Sequence, residues 1–594
     1  MFRDPRTEIV TLSNWSFDVD ACRLALAKMV IIDEHSFSIV EKEGFKSFVS
    51  VACPQFVNHV PSRFTIARDY KKLYLCEKDT LKMTLKGVKS RIALTTDCWT
   101  SIQNLNYLCL TAHFIDDEWN LHKRILNFKQ MDSHKGKEIG KVVEGCVIDW
   151  GIEDKLSCLT VDNASSNNVA VGYLKDNLEN KLVLGGDFFH MRCAAHVLNL
   201  VVRDGLARVK DSIHNIHCAI GYIRGSPLRS ALFDTCAKVV KVPCKGSLCL
   251  DVCTRWNSTF LMLNMALKFK KAFERFKNDD CNFENELKEN VPTKKDWENA
   301  RVLAKFLEQF YEATKRMSGT LYVTANLHFH DLLSILTTLL EWEKDPSPSL
   351  RDMAFQMHKK FDDYYGDWAK TNLMVLVAVV FDPRYKLKFV RFSFRKLYPN
   401  DFGMADRVYD NLHNVLKRLY GSYASCVNDE NDDHGGASSP INVDHSKMSL
   451  NNDTLKELYS QWNEGGEDDV EVVQKTELDV YLDAPREKVE GTFDILKWWK
   501  RHSDTYKVLS DMARDILAVP VSTVSSESAF STSGRVLDQF RGNLGPKTVE
   551  TLICAQDWLR ASSICIDVEQ LMDDMEKYEA GTYIYALYIY CCIS

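Results

Sequence analysis

Pro520-Val-Ser-Thr-Val-Ser-Ser-Glu-Ser-Ala-Phe-Ser-Thr-Ser-Gly-Arg-Val-Leu-Asp538 is the stretch on which the reading of this chain turns. It sets the carboxylate of Glu527 among small residues. Small side chains let a helix lie close against a sheet, so Glu527 is expected to reach something buried there. Two carboxylates far upstream, Asp97 and Asp162, stand on predicted strands. The expectation is that the three meet in space and that most of the chain between Asp162 and Glu527 is an insertion.

Working outward, Arg91–Thr96 is a short β-rich run ending at Asp97. Tyr107–Ile115 alternates like a strand, and Trp119–Gln130 is a third, with turns at Asn104-Leu-Asn106 and Asp116-Asp-Glu118. His134–Trp150 has apolar residues at helical spacing. Lys155–Val161 is a buried-looking strand ending at Asp162, and Asn163–Leu178 is again helical. The order β-β-β-α-β-α is a meander, a crossover and a fourth strand. It puts the first and fourth strands side by side and parallel, which brings Asp97 and Asp162 together.

Two Asp joined by a Glu from a helix are hard oxygen ligands suited to Mg²⁺ or Mn²⁺. Such sites activate an attacking oxygen and stabilise a leaving one in phosphodiester chemistry. Taken singly, Asp97 also reads as a turn residue and Asp162 as a helix cap.

Composition sets the bounds. The 594 residues call for several domains, and 45% hydrophobic with 26% charged residues is ordinary for a globular protein. A net charge of −7 means that any nucleic-acid surface is a local patch. The 19 scattered cysteines include no Cys-x-x-Cys pair and follow no signal peptide, which reads as reduced thiols in a cytosolic or nuclear protein. No membrane span is expected: the apolar tail Gly581–Ser594 is too short for a bilayer of roughly 30 Å.

The remaining chain divides by pattern. Residues 1–90 read as a helical N-terminal region and 91–207 as the first part of the core. Residues 208–420 are a helical insertion in which Leu373–Val380 is helix or strand by periodicity alone. Residues 421–475 are a polar, acidic linker expected to be disordered. A C-terminal module spans 476–565, where Trp498 and Trp499 read as packing residues, and 566–594 is a tail. His190, Cys193 and His196 fall on one predicted helix. Trp256, between Arg255 and Asn257, reads either as a core residue or as a base-stacking residue beside a phosphate-binding Arg. The run Arg384–Lys396, with Arg384, Lys386 and Arg391 among aromatics, is the richest basic cluster.

Five ordered motifs resemble the hAT superfamily of transposases. Thr-Thr-Asp97-Cys-Trp-Thr-Ser is similar to its first acidic motif, and Leu159-Thr-Val-Asp162-Asn-Ala-Ser-Ser-Asn-Asn168 to its second. His190-Met-Arg-Cys193-Ala-Ala-His196 is similar to its Cys-x-x-His segment, and Thr254-Arg-Trp256-Asn-Ser-Thr to the motif opening its insertion. Ser526-Glu527-Ser-Ala-Phe530 with Gly534-Arg-Val-Leu-Asp538 is similar to the third acidic motif. The nearest subgroup is the plant Ricesleeper type of host-domesticated, BED zinc-finger proteins.

The resemblance implies an α/β (α+β) fold, in which an RNase H-like core is interrupted by a large all-helical insertion and completed by a C-terminal dimerisation region. It implies Asp97, Asp162 and Glu527 as catalytic, metal-holding residues, with His190, Cys193 and His196 in support. Arg255, Trp256 and Asn257 then take DNA, together with Arg384, Lys386 and Arg391. The leading expectation is a transposase-derived, DNA-binding, dimerising nuclear protein without transposition. The alternative is an active Mg²⁺- or Mn²⁺-dependent DDE transposase that cleaves and joins DNA strands. Full-length members begin with a BED-type zinc finger, and no zinc finger is read in this chain. The expected partners are DNA and further copies of the chain, with no membrane.

Overall fold

The computed structural model describes residues 17–207, 209–244, 246–251, 256–366, 372–398, 401–432, 475–488, 493–536 and 544–563, and a two-residue ladder pairing Phe2–Arg3 with Val10–Thr11. Apart from that ladder, the N-terminal region is helical as its pattern predicts, with helices Val19–Ile32, Glu43–Ala52 and Arg63–Gly87. Asp18 and Ser62 cap the first and third by accepting from Ala21 N and Thr65 N. Part of the lysine face is committed within the fold: Lys78 and Lys82 reach Asp149 at 2.8 and 3.5 Å and lie over the Trp150 ring.

Five strands make one mixed sheet, in the spatial order Leu121–Met131, Asn106–Ile115, Ile92–Thr100, Leu156–Val161, His190–Arg192. The first two pairings are antiparallel and the last two parallel. Helix Gly136–Trp150 makes the crossover to the fourth strand, and Ser165–Leu178 packs beside it.

Two sequence expectations need correcting here. The first strand does not stop before Asp97; it runs on to Thr100, because Asp97, Cys98, Trp99 and Thr100 keep pairing with Cys109, Leu108, Tyr107 and Asn106. His190, Cys193 and His196 do not share a helix either. His190–Arg192 is the edge strand, Cys193 is extended with its N–H donated to Val161 O at 2.7 Å, and the helix begins at Ala194. A strand of three residues is too short to show a period of two.

Among its described residues the insertion is built of helices and their connections, with no strand. Met374–Val380 resolves the ambiguous apolar run as a helix, with every residue after Met374 buried. Helix Phe402–Asp432 continues well into the expected linker; residues 433–474 and the tail from 564 onward lie outside the described residues.

The C-terminal segment is divided between two hydrophobic cores. Leu478, Tyr481, Ile495, Trp499 and residues up to Val521 bury against the helical insertion. Ala529, Phe530 and the apolar face of helix Pro546–Ser563 bury against the sheet and helix Arg63–Gly87. On the sheet side, Asp557 takes Lys123 Nζ and Ile125 N at 2.8 and 2.7 Å, and Trp558 Nε1 donates to Ile125 O at 2.7 Å.

Asp515 fastens these parts together. It is buried, accepts from Arg91 N and from the Tyr423 hydroxyl, both at 2.7 Å, and burial pushes its carboxyl up from 3.8 to about 6. A carboxyl whose pKa is raised on folding favours the fold only while protonated. Its contribution is present below about 4 and is lost as pH rises through about 6, worth about 3 kcal/mol over that window. Asp515→Asn keeps an acceptor for Arg91 N without the charge. Urea melts of the parent at pH 7.5 and pH 5 cross about one pH unit of that window, so the stability it gains between them, about 1.4 kcal/mol, is expected to be lost in the variant.

Candidate active site

Strand register places the first two carboxylates. Leu94 pairs with Leu159 and Thr95 with Thr160, so Asp97 and Asp162, each two residues further on, come side by side at the carboxyl end of the parallel pair. Glu527 comes from helix Val524–Val536, which packs on the Ile92–Thr100 and Asn106–Ile115 strands.

The helix is locked there by hydroxyls as much as by small size. Ser526 Oγ lies 2.7 Å from Thr95 Oγ1 and 3.2 Å from Thr111 Oγ1. Ser525 Oγ lies 3.0 Å from both Thr95 Oγ1 and His113 Nε2. Burial holds His113 neutral by pushing its pKa down to about 3. Phe530 stacks on Trp99 at 5.8 Å. A bulky side chain at 525 or 526 would lift the helix and its carboxylate off the sheet.

The four residues before the helix are each tied to a different element. Pro520 O accepts from Thr160 Oγ1 and Val521 O from Ala194 N, both at 2.8 Å. Ser522 Oγ donates to Met317 O at 2.8 Å, at the end of helix Lys294–Met317. Thr523 meets Cys193: its N–H donates to Cys193 Sγ, and its hydroxyl also lies 3.3 Å from that sulfur.

Asp97, Asp162 and Glu527 are each half-buried as residues. Asp97 Oδ1 accepts from Cys98 N at 2.7 Å. Asp162 Oδ1 accepts from Ala164 N at 2.9 Å and from Asn167 Nδ2. Glu527 Oε1 accepts from Thr523 Oγ1 at 2.9 Å. Burial, with the charges of Glu527 and Asp162, holds Asp97 well above the usual carboxylate range. Burial and the Asp162 charge raise Glu527 too, against the lowering bond from Thr523. Burial pushes the Cys193 thiol up to about 12 and the His190 imidazole down to about 4. It also lowers His196, against the pull of nearby Asp162. Cys193 and His196 thus stand against Glu527 and Asp162, although they do not share one regular helix with His190.

As a metal site, the trio has the donor chemistry of a hard divalent cation, and a dication would relieve the like-charge crowding that raises Asp97. Among the described residues, however, no three His, Cys, Asp or Glu side chains are gathered to hold an ion; each of these carboxylates is turned onto its local donor.

The residues expected to take DNA are not brought together with the trio. Arg255 lies outside the described residues. Trp256 is 3% exposed within the helical core and offers no face to a base; Asn257 is half-buried, and its Oδ1 is shielded without a partner. Arg384 is paired with buried Asp382 at 2.7 Å and stacked on Phe493, and Arg391 is paired with Asp406 at 2.7 Å. Lys386 is buried with its ammonium on the carbonyls of Tyr481, Ala484 and Pro485, so it presents no charge to a phosphate. Alternating cations and aromatics here mark a helix packed on the C-terminal segment. Thr523, Asn167 and the Thr95–Ser526 contact are absent from the sequence reading; the one signal for Thr523 is its place four residues before Glu527.

Four family models match the chain: the ZBED1 RNase-like domain over residues 95–188, the ZBED1 RNase-like helical domain over 191–306, a hAT-like transposase RNase-H fold over 326–423, and the hAT family C-terminal dimerisation region over 477–559. Among the described residues of 326–423 there are helices and their connecting turns and no strand. The chain is 37% identical to a putative AC transposase of Zea mays, over 94% of this chain and 68% of the relative. It is 34% identical to the zinc finger BED domain-containing protein RICESLEEPER 2 of Oryza sativa subsp. japonica (92% and 76% covered) and 31% identical to DAYSLEEPER of Arabidopsis thaliana (92% and 75%).

Proposed function

From the chain's membership of the hAT transposase family, we propose that it binds DNA in the nucleus as a homodimer or higher oligomer and cleaves and joins DNA strands at Asp97, Asp162 and Glu527. The observation that carries this reading is the approach of three carboxylates from a strand, a strand end and a distant helix, close enough that burial and their mutual charge hold Asp97 and Glu527 above the ordinary carboxylate range. Asp97, Asp162 and Glu527 would hold Mg²⁺ or Mn²⁺, which when bound polarises phosphate oxygens and sharpens the attacking one. The chain's own part is to bring the carboxylates together, to keep Glu527 rigid through the helix–sheet hydroxyl contacts, and to set His196 against Asp162. The match to the hAT family C-terminal dimerisation region supports self-association.

A second reading has an observation of its own. Each carboxylate is already satisfied by a local donor and no three are gathered, which favours a DNA-binding member that no longer transposes. One experiment separates the two. Purified protein is incubated with DNA bearing hAT-type terminal repeats, in Mn²⁺ or in chelator. Strand nicking in Mn²⁺ alone is the expected result; binding without nicking assigns the non-transposing reading. Sedimentation of the same protein is expected to show at least a dimer.

A further inference from the structure

Resting on the strand-cleavage reading, we infer that Thr523 is a positioning residue for Glu527, held in place by the buried thiol of Cys193. Thr523 is wholly buried, as is Cys193. Its backbone N–H donates to Cys193 Sγ at 3.3 Å, its hydroxyl lies 3.3 Å from the same sulfur, and that hydroxyl donates to Glu527 Oε1 at 2.9 Å.

A hydroxyl has one proton. With that proton on the carboxylate, the Thr523 hydroxyl oxygen rests against the Cys193 sulfur, which accepts from the Thr523 backbone N–H, while the hydroxyl donates to Glu527 Oε1. The backbone contact holds Thr523 beside the sulfur, and the hydroxyl sits in the rotamer that meets both the sulfur and Glu527 Oε1. Glu527 has three side-chain torsions, and Thr523 removes its freedom at the terminal one by occupying Oε1.

The position of Thr523 makes this more than a cap. Its carbonyl accepts from Ser526 N and Glu527 N, at 2.9 and 3.0 Å, so backbone and side chain of one residue both fix the start of the helix and the direction of its carboxylate. Partners of this kind, one bond removed from a ligand, typically affect metal affinity or turnover by 10- to 100-fold.

The test compares Thr523→Val, which keeps the shape and removes the donor, with Thr523→Ser, which keeps the donor. Each is followed by Mn²⁺ titration of nicking, by calorimetric titration with Mn²⁺ alone, and by DNA affinity in chelator. Thr523→Val is expected to lower the nicking rate and to raise the half-saturating Mn²⁺ about 10-fold or more, with DNA affinity unchanged. Thr523→Ser is expected to return both to within a few-fold of the parent. Equal losses in the two variants, or no loss in Thr523→Val, overturn the inference and leave the cleavage reading standing. A parent that neither nicks nor binds Mn²⁺ overturns the cleavage reading, and this inference with it.

Discussion

Glu527→Gln is expected to cut strand nicking by at least about 10³-fold while making the metal-free protein more heat-stable, two effects of opposite sign from one atom change. The first follows from removing a carboxylate that no neighbour replaces. The second follows from the electrostatics of the trio. Glu527 and Asp97 are both held above their ordinary range by burial and by negative neighbours. A carboxyl raised on folding costs stability once ionised, and that cost grows as pH rises above its unfolded value. Gln keeps the acceptor for Thr523 Oγ1 and drops the charge. The melting midpoint in chelator at pH 7.5 is therefore expected to rise in Glu527→Gln and in Asp97→Asn. Mn²⁺ is expected to raise the midpoint of the parent and leave both variants unmoved. A variant that nicks like the parent, or melts lower in chelator, contradicts this account.

The largest loss of stability is expected at Trp499. Its side chain has no exposure, its Nε1 donates to Phe381 O at 2.9 Å, and it lies against Phe381, Tyr481 and Trp119 at centroid distances of 5.6, 5.5 and 6.5 Å. Trp499→Ala empties that space at a cost of about 3–5 kcal/mol. It also strands the Phe381 carbonyl, adding about 1–3 kcal/mol. Trp119 belongs to the hairpin of the sheet, so the loss weakens the join between helical lobe and sheet as well as the lobe. Trp498 is the control: half-buried, stacked on His502 at 3.9 Å and bonded to Glu487. Urea melts should show Trp498→Ala close to the parent and Trp499→Ala far below it. Equal shifts would remove the distinction drawn between the two.

Much of this was legible in the sequence because it rests on local pattern. The β-β-β-α-β-α order follows from alternation and helical spacing, and with parallel pairing of the first and fourth strands it places Asp97 beside Asp162. The small residues around Glu527 announced a close helix, and their hydroxyls supplied the lock. What the sequence hid depends on long-range burial. Lys386 reads as a surface cation until Tyr481, Ala484 and Pro485 turn their carbonyls toward it. Trp256 reads equally as stacker or core until the insertion closes around it. The three-residue edge strand at His190 takes its identity wholly from the neighbour it pairs with.

The division of the C-terminal segment between two cores also bears on how the protein is made. At about 5–20 residues per second, synthesis separates the second carboxylate from the third by on the order of half a minute. Through that interval a nascent chain holds Asp97 and Asp162 but lacks both the strap at Pro520–Thr523 and the helix that covers the outer strand. The three-carboxylate site can assemble only when the last elements emerge, and their arrival closes both cores at once. A fragment released early by a ribosome would carry two of the three acids and neither core closed.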